Sequence, residues 1–395
     1  MNPNKAKANN RNLPSGDPYV YVTYELDNLI GYVAVIDPVE DRIIKRIKVG
    51  FNPGPMCMDP AEKKLYVVNT LSNSVTIIDA DTSRILKTVR VGTLGSSNTN
   101  PVAIFAAPNG NKVYVANSGD QNVTIIDALT DTVIKNVDIF PGGPVTLGDQ
   151  GKPFAFAGHE ASSFVYVACK VADKKDYVVA ISLEDDHPFP YNRDIQLTFD
   201  MSHNPLTVHP DGDTQVTLGP IGMATYFGDG EIGLPNTSSV LDNTVSGVYL
   251  DNKLLFCTTL EEKAILKRIT NLTVDWKGNI TFDKFADVPS YKGQDKIRVS
   301  RTQGYIGVTI QPTTFPEGGL QIYNVNGGTS QFVSLASVGD LAFFSDTKAY
   351  VGELTSVRPI DLATATALPA IPLGHSNNNN VTVKNIISGY SNQSQ

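Results

Sequence analysis

Residues 203–213 concentrate the side chains that could do acid–base or metal chemistry. Two imidazoles, His203 and His209, and two carboxylates fall within this short segment. Histidine changes charge near neutral pH, so a histidine beside a carboxylate can act as a general acid or base. Both imidazoles share one side of a strand only if the chain stays extended, which Pro205 and Pro210 disfavour. We therefore prefer a turn followed by a strand, and keep His203 and His209 as a weak metal-site hypothesis.

No familiar catalytic motif accompanies these histidines. Neither Gly-x-Ser-x-Gly nor Gly-x-x-x-x-Gly-Lys occurs in the chain, so the sequence offers no nucleophile elbow and no phosphate-binding loop. His159 and Glu160 fall where the repeat described below has a turn, which favours a structural role. Any reactive site must then be assembled from loops that lie far apart in the sequence.

A repeated pattern indicates which elements would assemble such a site. Residues 65–69 (LYVVN) and 74–79 (SVTIID) return 48 positions later as 113–117 (VYVAN) and 122–127 (NVTIID). A fixed period of this size is typical of repeat architectures. Each unit reads as four short strands separated by Gly-, Pro- and Asn-containing turns, which is one propeller blade. The sequence predicts an all-β fold, a single β-propeller of four-stranded antiparallel blades.

The number of blades depends on one irregular interval. The middle of each second strand is marked by a residue of the repeat, namely Tyr21, Tyr66, Tyr114, Tyr166, Leu255, Tyr305 and Tyr350. The interval from Tyr166 to Leu255 is about twice the others. We favour seven blades with an insertion near 198–245. Eight blades are the alternative, because residues 205–218 imitate a first strand, a turn and a second strand.

The predicted organisation has three parts. Residues 1–18 form a flexible N-terminal tail, residues 19–375 the propeller, and residues 376–395 a closing strand and tail. The first unit lacks its first strand, and residues 381–388 have the composition to supply it. Such closure removes the free edges that an open array would leave for aggregation.

Recurrent polar residues are expected to be structural. Asp79 and Asp127 begin turns with a Thr three residues later, which is typical of Asx turns. A catalytic carboxylate has no reason to recur in every blade. Cys57, Cys169 and Cys257 lie in or beside apolar strand-like runs and are predicted to be buried free thiols.

Composition narrows the class of partner. The net charge of −8 and the pI near 5.2 argue against a nucleic-acid partner. The chain contains no run of 18 or more apolar residues, so no membrane-spanning helix is predicted. Residues 1–18 lack the apolar stretch of a signal peptide. Six Asn-x-Ser/Thr sequons tilt the prediction toward an extracellular or cell-surface location, while a cytoplasmic one stays open.

The units Tyr-Val-x-Asn, Val-Thr-Ile-Ile-Asp and Val-Gly-x-x-Pro resemble the YVTN family of β-propeller repeats. The resemblance is strong in the second and third units and weakens after about Leu197. It implies a surface-layer-like or exported prokaryotic propeller. We accordingly favour a non-catalytic binding or structural role, with a protein, glycan or cell-envelope partner. No cofactor is expected, although a divalent metal on the axis is possible.

The predicted binding surface is the ring of loops that lead into each first strand. Its candidate residues are Asn52, Asn100, Lys152, His203, Arg298, Asp340 and His375. The alternative function is a lactonase-like hydrolase or lyase with an axial acid–base site. It would use His203, His209 or His375 with a carboxylate such as Asp340. A mouth lined by Asn, Thr and backbone would favour recognition, whereas clustered His, Arg and carboxylate would favour catalysis.

Overall fold

A computed structural model describes residues 19–389 except 28, 140–150, 172–175, 196–200, 202, 229–230, 234, 260–263, 313–317 and 375–380. The first half of the chain forms strands β1 (Val20–Leu26), β2 (Ile30–Asp37), β3 (Arg42–Phe51), β4 (Pro53–Met58), β5 (Lys64–Asn69), β6 (Ser74–Asp79), β7 (Arg84–Arg90), β8 (Pro101–Ala106), β9 (Lys112–Asn117), β10 (Asn122–Asp127), β11 (Thr132–Asp138), β12 (Lys152–Ala157), β13 (Phe164–Lys170), β14 (Asp176–Ser182) and β15 (Pro188–Ile195).

The second half continues the same succession of short strands. It comprises β16 (Leu206–Val208), β17 (Thr214–Thr217), β18 (Met223–Gly228), β19 (Glu231–Ile232), β20 (Asn236–Thr237), β21 (Thr244–Leu250), β22 (Leu254–Thr259), β23 (Ile265–Thr270), β24 (Thr273–Val274), β25 (Ile280–Thr281), β26 (Lys284–Pro289), β27 (Gln294–Val299), β28 (Tyr305–Ile310), β29 (Gly319–Asn324), β30 (Thr329–Ser334), β31 (Leu341–Phe343), β32 (Lys348–Gly352), β33 (Ser356–Asp361), β34 (Thr366–Ala367), β35 (Ile371–Pro372) and β36 (Val381–Ser388). The helices of the described residues are two 3-10 turns, Thr70–Ser72 and Ser239–Leu241, and neither could cross a membrane.

These strands form a β-propeller of eight antiparallel blades. Blade 1 is β36 with β1–β3, blade 2 is β4–β7, blade 3 is β8–β11, blade 4 is β12–β15, blade 5 is β16–β20, blade 6 is β21–β23 with β26, blade 7 is β27–β30, and blade 8 is β31–β35. The all-β propeller prediction is confirmed. The favoured count of seven is corrected to eight, the alternative count.

The additional blade lies in the interval that the repeat pattern left empty. Its second strand β17 reads Thr-Gln-Val-Thr, with no tyrosine to mark it. Gln215 is fully buried there and donates from Nε2 to the Val216 carbonyl oxygen at 2.6 Å. The third strand of this blade, β18, follows at Met223–Gly228. A blade whose interior is partly polar thus folds normally but loses its sequence signature.

The ring is closed by β36. This strand pairs antiparallel with β1, from Val20 opposite Ser388 to Leu26 opposite Val381. It occupies the innermost position of blade 1, as β4 does in blade 2. The predicted contribution of residues 381–388 to the first unit is confirmed.

Apolar side chains fill the space between every pair of neighbouring blades. Eight buried clusters each combine residues of two successive blades, and the last joins blade 8 to blade 1. Tyr21, Tyr66 and Tyr114 are among the largest fully buried side chains. The three cysteines are also buried and free, as predicted. Blade-to-blade burial is therefore the main stabilising contribution to the ring.

Polar residues of the repeat reinforce this packing. Asp79 Oδ1 accepts hydrogen bonds from the Thr82 N–H and hydroxyl, both at 2.7 Å, so the predicted Asx turn is confirmed. Three lysines at the start of a second strand also pair with an aspartate of the next blade. These lysine latches are Lys64–Asp131 at 2.8 Å, Lys112–Asp186 at 2.7 Å and Lys348–Asp41 at 2.9 Å.

Candidate functional site

The inner strands surround an axial channel, and one of its ends opens into a cavity of about 430 Å³. We call this opening the channel mouth. All eight blades contribute to it, through the loops before their inner strands and the first residues of those strands. The polar side chains that the following paragraphs use are His203, Asp295, Lys296, Arg298, Asp340, Lys384 and Asn385.

His203 and Asp295 form the central pair of the mouth. His203 Nε2 lies 3.0 Å from Asp295 Oδ1, which joins the loop before β16 to strand β27. Asp295 Oδ2 accepts a second hydrogen bond from Gln311 Nε2 at 2.9 Å. Both side chains of the pair are mostly buried, each 16% exposed. Asp295 is therefore placed to fix the orientation of the imidazole.

The ionisation of Asp295 follows from its neighbours. Burial is the largest influence and by itself raises the pKa of this carboxyl group. The hydrogen bond from His203 and the charge of Lys296, whose Nζ lies 3.4 Å away, oppose it. With the Gln311 hydrogen bond they hold the pKa of Asp295 well below its usual range. Asp295 is consequently a carboxylate at neutral pH, and the His203 tautomer that donates from Nε2 carries its lone pair on Nδ1.

A second polar group lies beside the first. Arg298 Nη2 donates to Asp340 Oδ1 at 3.0 Å, and Asp340 Oδ2 accepts from Asn385 Nδ2 at 2.5 Å. Asn385 belongs to β36, and its Oδ1 accepts the Met56 N–H at 3.2 Å. Lys384 Nζ pairs with Glu25 at 2.7 Å. The strand that closes the ring thus also supports the arginine of the mouth.

The structure places some of the predicted binding residues at the channel mouth and others away from it. His203, Arg298, Asp340 and Asn52 line the mouth. Asn100 and Lys152 lie in the loop before β8 and at the first position of β12, and neither belongs to the cavity lining. His375 lies outside the described residues.

The structure does not bring His203 and His209 together. His209 lies beyond the opposite end of β16, where it is fully buried. Its Nδ1 is 2.7 Å from Asp211 Oδ2, and its ring meets Tyr249 edge to face, with the centroids 5.2 Å apart. Among the described residues no group of three or more His, Cys, Asp or Glu side chains is arranged to hold a metal ion. His209 is therefore part of the packing of blades 5 and 6.

The far end of the channel holds a second cavity of about 440 Å³. His159 and Glu160 contribute to its lining, where the repeat pattern predicts a turn. They are separated from the mouth by the length of the inner strands. His159 therefore provides a useful comparison for His203.

Sequence reasoning missed Asp295 and Asn385. A signal for Asp295 was present, because the inner strand β27 reads QDKIRV and carries three charges. The corresponding strands β4 and β8 read PGPMCM and PVAIFA and carry none. The three charges set β27 apart from the other inner strands, which carry at most one each, and indicate side chains that face the channel. Asn385 gave no comparable signal.

The closed ring of four-stranded blades defines the class of this protein as a β-propeller. Its sequence is similar to the family described as "Lactonase, 7-bladed beta-propeller" over residues 44–185. That match covers the strands of blades 2 and 3 in full and those of blades 1 and 4 in part, and it does not reach His203 or Asp295. The family description names seven blades, whereas this chain has eight. No curated protein matches the chain.

Solved structures support the fold. Dihydro-heme d1 dehydrogenase NirN, in complex with DHE, superposes with a TM-score of 0.67 at 14% identity, over 94% of this chain and 74% of that one. AztD from Citrobacter koseri gives 0.62 at 12% identity, over 94% and 97%. A putative 6-phosphogluconolactonase from Bacteroides uniformis gives 0.51 at 12% identity, over 80% and 95%. At these identities the likeness extends to the fold alone.

Proposed function

We propose that the channel mouth is a hydrolytic site that opens a cyclic ester, a lactonase-like activity. The observation that carries this proposal is the His203–Asp295 hydrogen bond of 3.0 Å, with Lys296 and Arg298 beside it on the same strand. Clustered His, Arg and carboxylate is the lining that we associated with catalysis. The similarity of residues 44–185 to a lactonase family gives independent support.

The roles of the residues follow from their chemistry. His203 takes a proton on Nδ1 from a water whose oxygen attacks the ester carbonyl carbon. Lys296 and Arg298 stabilise the negative charge that develops on the carbonyl oxygen. The ring C–O bond then breaks, and His203 returns the proton to the departing alkoxide oxygen. The products are a carboxylic acid and a hydroxyl group on one open chain.

Two other residues act through these. Asp295 keeps the imidazole oriented and stabilises it while it is protonated, as an aspartate does for histidine in hydrolytic triads. Asp340 holds the Arg298 guanidinium at 3.0 Å. Because charge-assisted hydrogen bonds are strong and directional, Asp340 limits the positions that the arginine can adopt. Both are positioning residues in this proposal.

A substrate panel with two histidine variants tests the activity. Acid release from γ- and δ-lactones is followed by pH-stat titration with the purified chain and with His203→Ala. Loss of a general base is expected to lower kcat about 10²- to 10⁴-fold. His159→Ala, at the other end of the channel, is the matched control and is expected to keep full activity. A panel in which no lactone is opened, or in which His203→Ala works as well as the original chain, would contradict the proposal.

Recognition without catalysis is the second candidate. It is favoured by the pairing of all three cations at the mouth, with Lys296 on Asp295, Arg298 on Asp340 and Lys384 on Glu25. A mouth neutralised in this way suits an uncharged ligand held by hydrogen bonds. The exported location and the protein, glycan or envelope partner belong to this candidate and stay predictions. A ligand whose affinity depends on His203 but which is never hydrolysed would favour it.

A further inference from the structure

The outer rim of blades 1 and 2 concentrates positive charge on a chain that is acidic overall. The outer strands of these blades, β3 and β7, read RIIKRIKVGF and RILKTVR. They contain seven of the chain's 32 Lys and Arg residues and none of its 40 Asp and Glu residues. The net charge of the whole chain is −8, so the rim of these two blades differs in sign from the average surface. A surface of this kind suits an anionic partner.

Protection of the sheet edge does not account for this charge. Outer strands often carry charged residues because these oppose edge-to-edge pairing with another chain. However, β11, β15 and β26, the outer strands of blades 3, 4 and 6, each hold one cation and one carboxylate. The outer strand of blade 7, β30, holds no charged residue. The excess of cations is therefore particular to blades 1 and 2.

The cations of the two strands lie near one another. Lys45 Nζ of blade 1 donates to the Thr82 carbonyl oxygen of blade 2 at 3.2 Å, which links the two outer edges. Burial and the nearby charge of Arg84 lower the pKa of Lys45. Like charges at this junction repel each other, and an anion bound there would relieve the repulsion. We define the basic rim as the cations of β3 and β7 beyond Arg42, namely Lys45, Arg46, Lys48, Arg84, Lys87 and Arg90.

Carboxylates do not neutralise the basic rim. Within the part of the chain that the structure describes, no Asp or Glu oxygen lies within 4.0 Å of its amino and guanidinium groups. The acidic residues of the adjoining turns pair with other cations, as Glu40–Arg42, Asp41–Lys348 and Asp81–Lys63. The charge of the basic rim is therefore available to a partner.

Large apolar side chains are exposed among these cations. Ile85 and Leu86 of β7 are 45% and 47% exposed, Phe51 at the end of β3 is 52% exposed, and Leu94 after β7 is 92% exposed. A dissolved anionic polymer would leave these side chains in water. A phospholipid bilayer takes both kinds of group, because its headgroups bind cations and the boundary with the acyl chains accepts apolar side chains. The combination favours an anionic lipid surface.

We propose that the rim of blades 1 and 2 docks on an anionic lipid surface. The basic rim contacts the phospholipid phosphates, and Ile85, Leu86 and Phe51 enter the boundary between headgroups and acyl chains. The rim faces away from the channel, so docking sets the channel axis parallel to the surface and leaves both channel ends open. None of these residues lines the channel mouth, and the inference is therefore independent of the hydrolytic proposal.

Co-sedimentation with lipid vesicles tests the docking. The full chain is mixed with phosphatidylcholine vesicles that contain or lack phosphatidylglycerol, an anionic phospholipid. We expect sedimentation with the anionic vesicles only. Raising the ionic strength from about 0.1 M to about 1 M shortens the Debye length from about 10 Å to about 3 Å and is expected to release most of the bound chain.

Two variants that lose the same number of charges locate the surface. The rim variant combines Lys48→Gln, Arg84→Gln, Lys87→Gln and Arg90→Gln. Each cation near an anionic surface contributes about a fivefold factor, so this variant should bind about 10²-fold more weakly. The control variant replaces by Gln four exposed lysines from the opposite side of the ring and should retain binding, namely Lys253, Lys277, Lys284 and Lys292. Melting curves establish that both variants fold.

An apolar substitution distinguishes a lipid surface from a dissolved polyanion. Leu86→Asn removes a side chain that would enter the bilayer and is expected to weaken vesicle binding about fivefold. Ile221→Asn, at a position of blade 5 that is also exposed, is the matched control and should bind like the original chain. Heparin is the soluble polyanion used for comparison, and Leu86→Asn should not change any binding to it.

Each outcome decides for or against the docking. Anionic-vesicle binding that both the rim variant and Leu86→Asn weaken supports the inference. Absence of vesicle binding, or equal binding by the rim and control variants, overturns it. Heparin binding that the rim variant loses, without binding to vesicles, assigns the rim to a dissolved polyanion and also overturns the lipid surface.

Discussion

Blades 2 and 3 and blades 7 and 8 use their polar residues in different ways. In blades 2 and 3 the polar atoms hold the ring together. Asn69 Nδ2 donates to Thr76 Oγ1 at 2.9 Å, and its Oδ1 accepts the Gly50 N–H of blade 1 at 3.0 Å. Asn117 donates to Asn122 and Thr124, each at 2.8 Å. The inner strands of these two blades carry no charged side chain.

Blades 7 and 8 place charge on the channel instead. Strand β27 contributes Asp295, Lys296 and Arg298 to the mouth, and Asp340 precedes β31. The difference teaches that the repeat stabilises the ring where it is regular, whereas departure from the repeat leaves room for chemistry. Substitutions should therefore change stability in blades 2 and 3, and change activity more than stability in blades 7 and 8.

Truncation of the chain before residue 381 should have the largest effect on stability, because β36 belongs to blade 1 and also contacts Asp340 of blade 8. It deletes the inner strand of blade 1 together with the buried Val381, Ile386 and Ile387. Loss of three buried aliphatic side chains is expected to cost about 5 kcal/mol or more of unfolding free energy. Denaturant unfolding measures it, with removal of residues 390–395 alone as the control. Equal stability of the two truncated chains would show that ring closure is dispensable.

Loss of one lysine latch should have the second-largest effect on stability. Lys112→Met leaves Asp186, whose side chain is 8% exposed, without its closest cation. An unpaired buried charge of this kind costs about 3 kcal/mol. Lys135 lies 3.9 Å from the same aspartate but is 43% exposed, so Lys135→Met should cost less than about 1 kcal/mol. Similar midpoints for the two variants in urea would argue against the latch.

Loss of the buried side-chain amide of Asn69 should have a smaller effect on stability than loss of the lysine latch. Asn69→Ala leaves the Gly50 N–H and two hydroxyl groups without their partner, at a cost of about 2 kcal/mol. The exposed turn residue Asn109 provides the control, and Asn109→Ala should stay within about 0.5 kcal/mol of the original chain. Thermal unfolding distinguishes them. If Asn69→Ala lowered lactone turnover while leaving the melting temperature unchanged, the contrast between blades 2 and 3 and blades 7 and 8 would be wrong.

The effect of Asp295→Asn on stability is expected to depend on pH, although the change keeps the size of the side chain and an acceptor for Gln311. The folded pKa of Asp295 is depressed, so its ionisation stabilises the fold above the unfolded pKa of about 3.9. That contribution is lost as pH falls through the folded pKa. The stability difference between the two proteins should therefore shrink from pH 7 toward pH 3. A difference that grows with acidity would contradict the assigned ionisation.

The fold could be predicted in most of its detail from the repeat. The Asx turns, the buried cysteines and the closing strand all follow from local pattern. The fifth blade was recognised only as the alternative, because Thr214 and Gln215 occupy a second strand where other blades have aromatic and aliphatic residues. The fifth blade is buried by packing against blades 4 and 6, and the local sequence pattern does not reveal these contacts.

The site was predictable only in part, for a physical reason. His203 stood out as a reactive residue on a loop, and Arg298 and Asp340 were expected at the mouth. Their partners could not be derived, since Asn385 reaches Asp340 across 45 residues and Asp295 meets His203 across blades 5 and 7. Ring geometry sets those contacts, and the order of residues along the chain does not contain them.

Closure by β36 also constrains the order of events during biosynthesis. Thr23 of β1 and Asn385 of β36 contact each other across 362 residues. A ribosome needs about 20 to 70 s to cover that distance, and through this interval β1 presents an unpaired inner edge. A nascent chain in that state is open to strand exchange with another nascent chain. Asp340 also lacks its hydrogen bond from Asn385 until then.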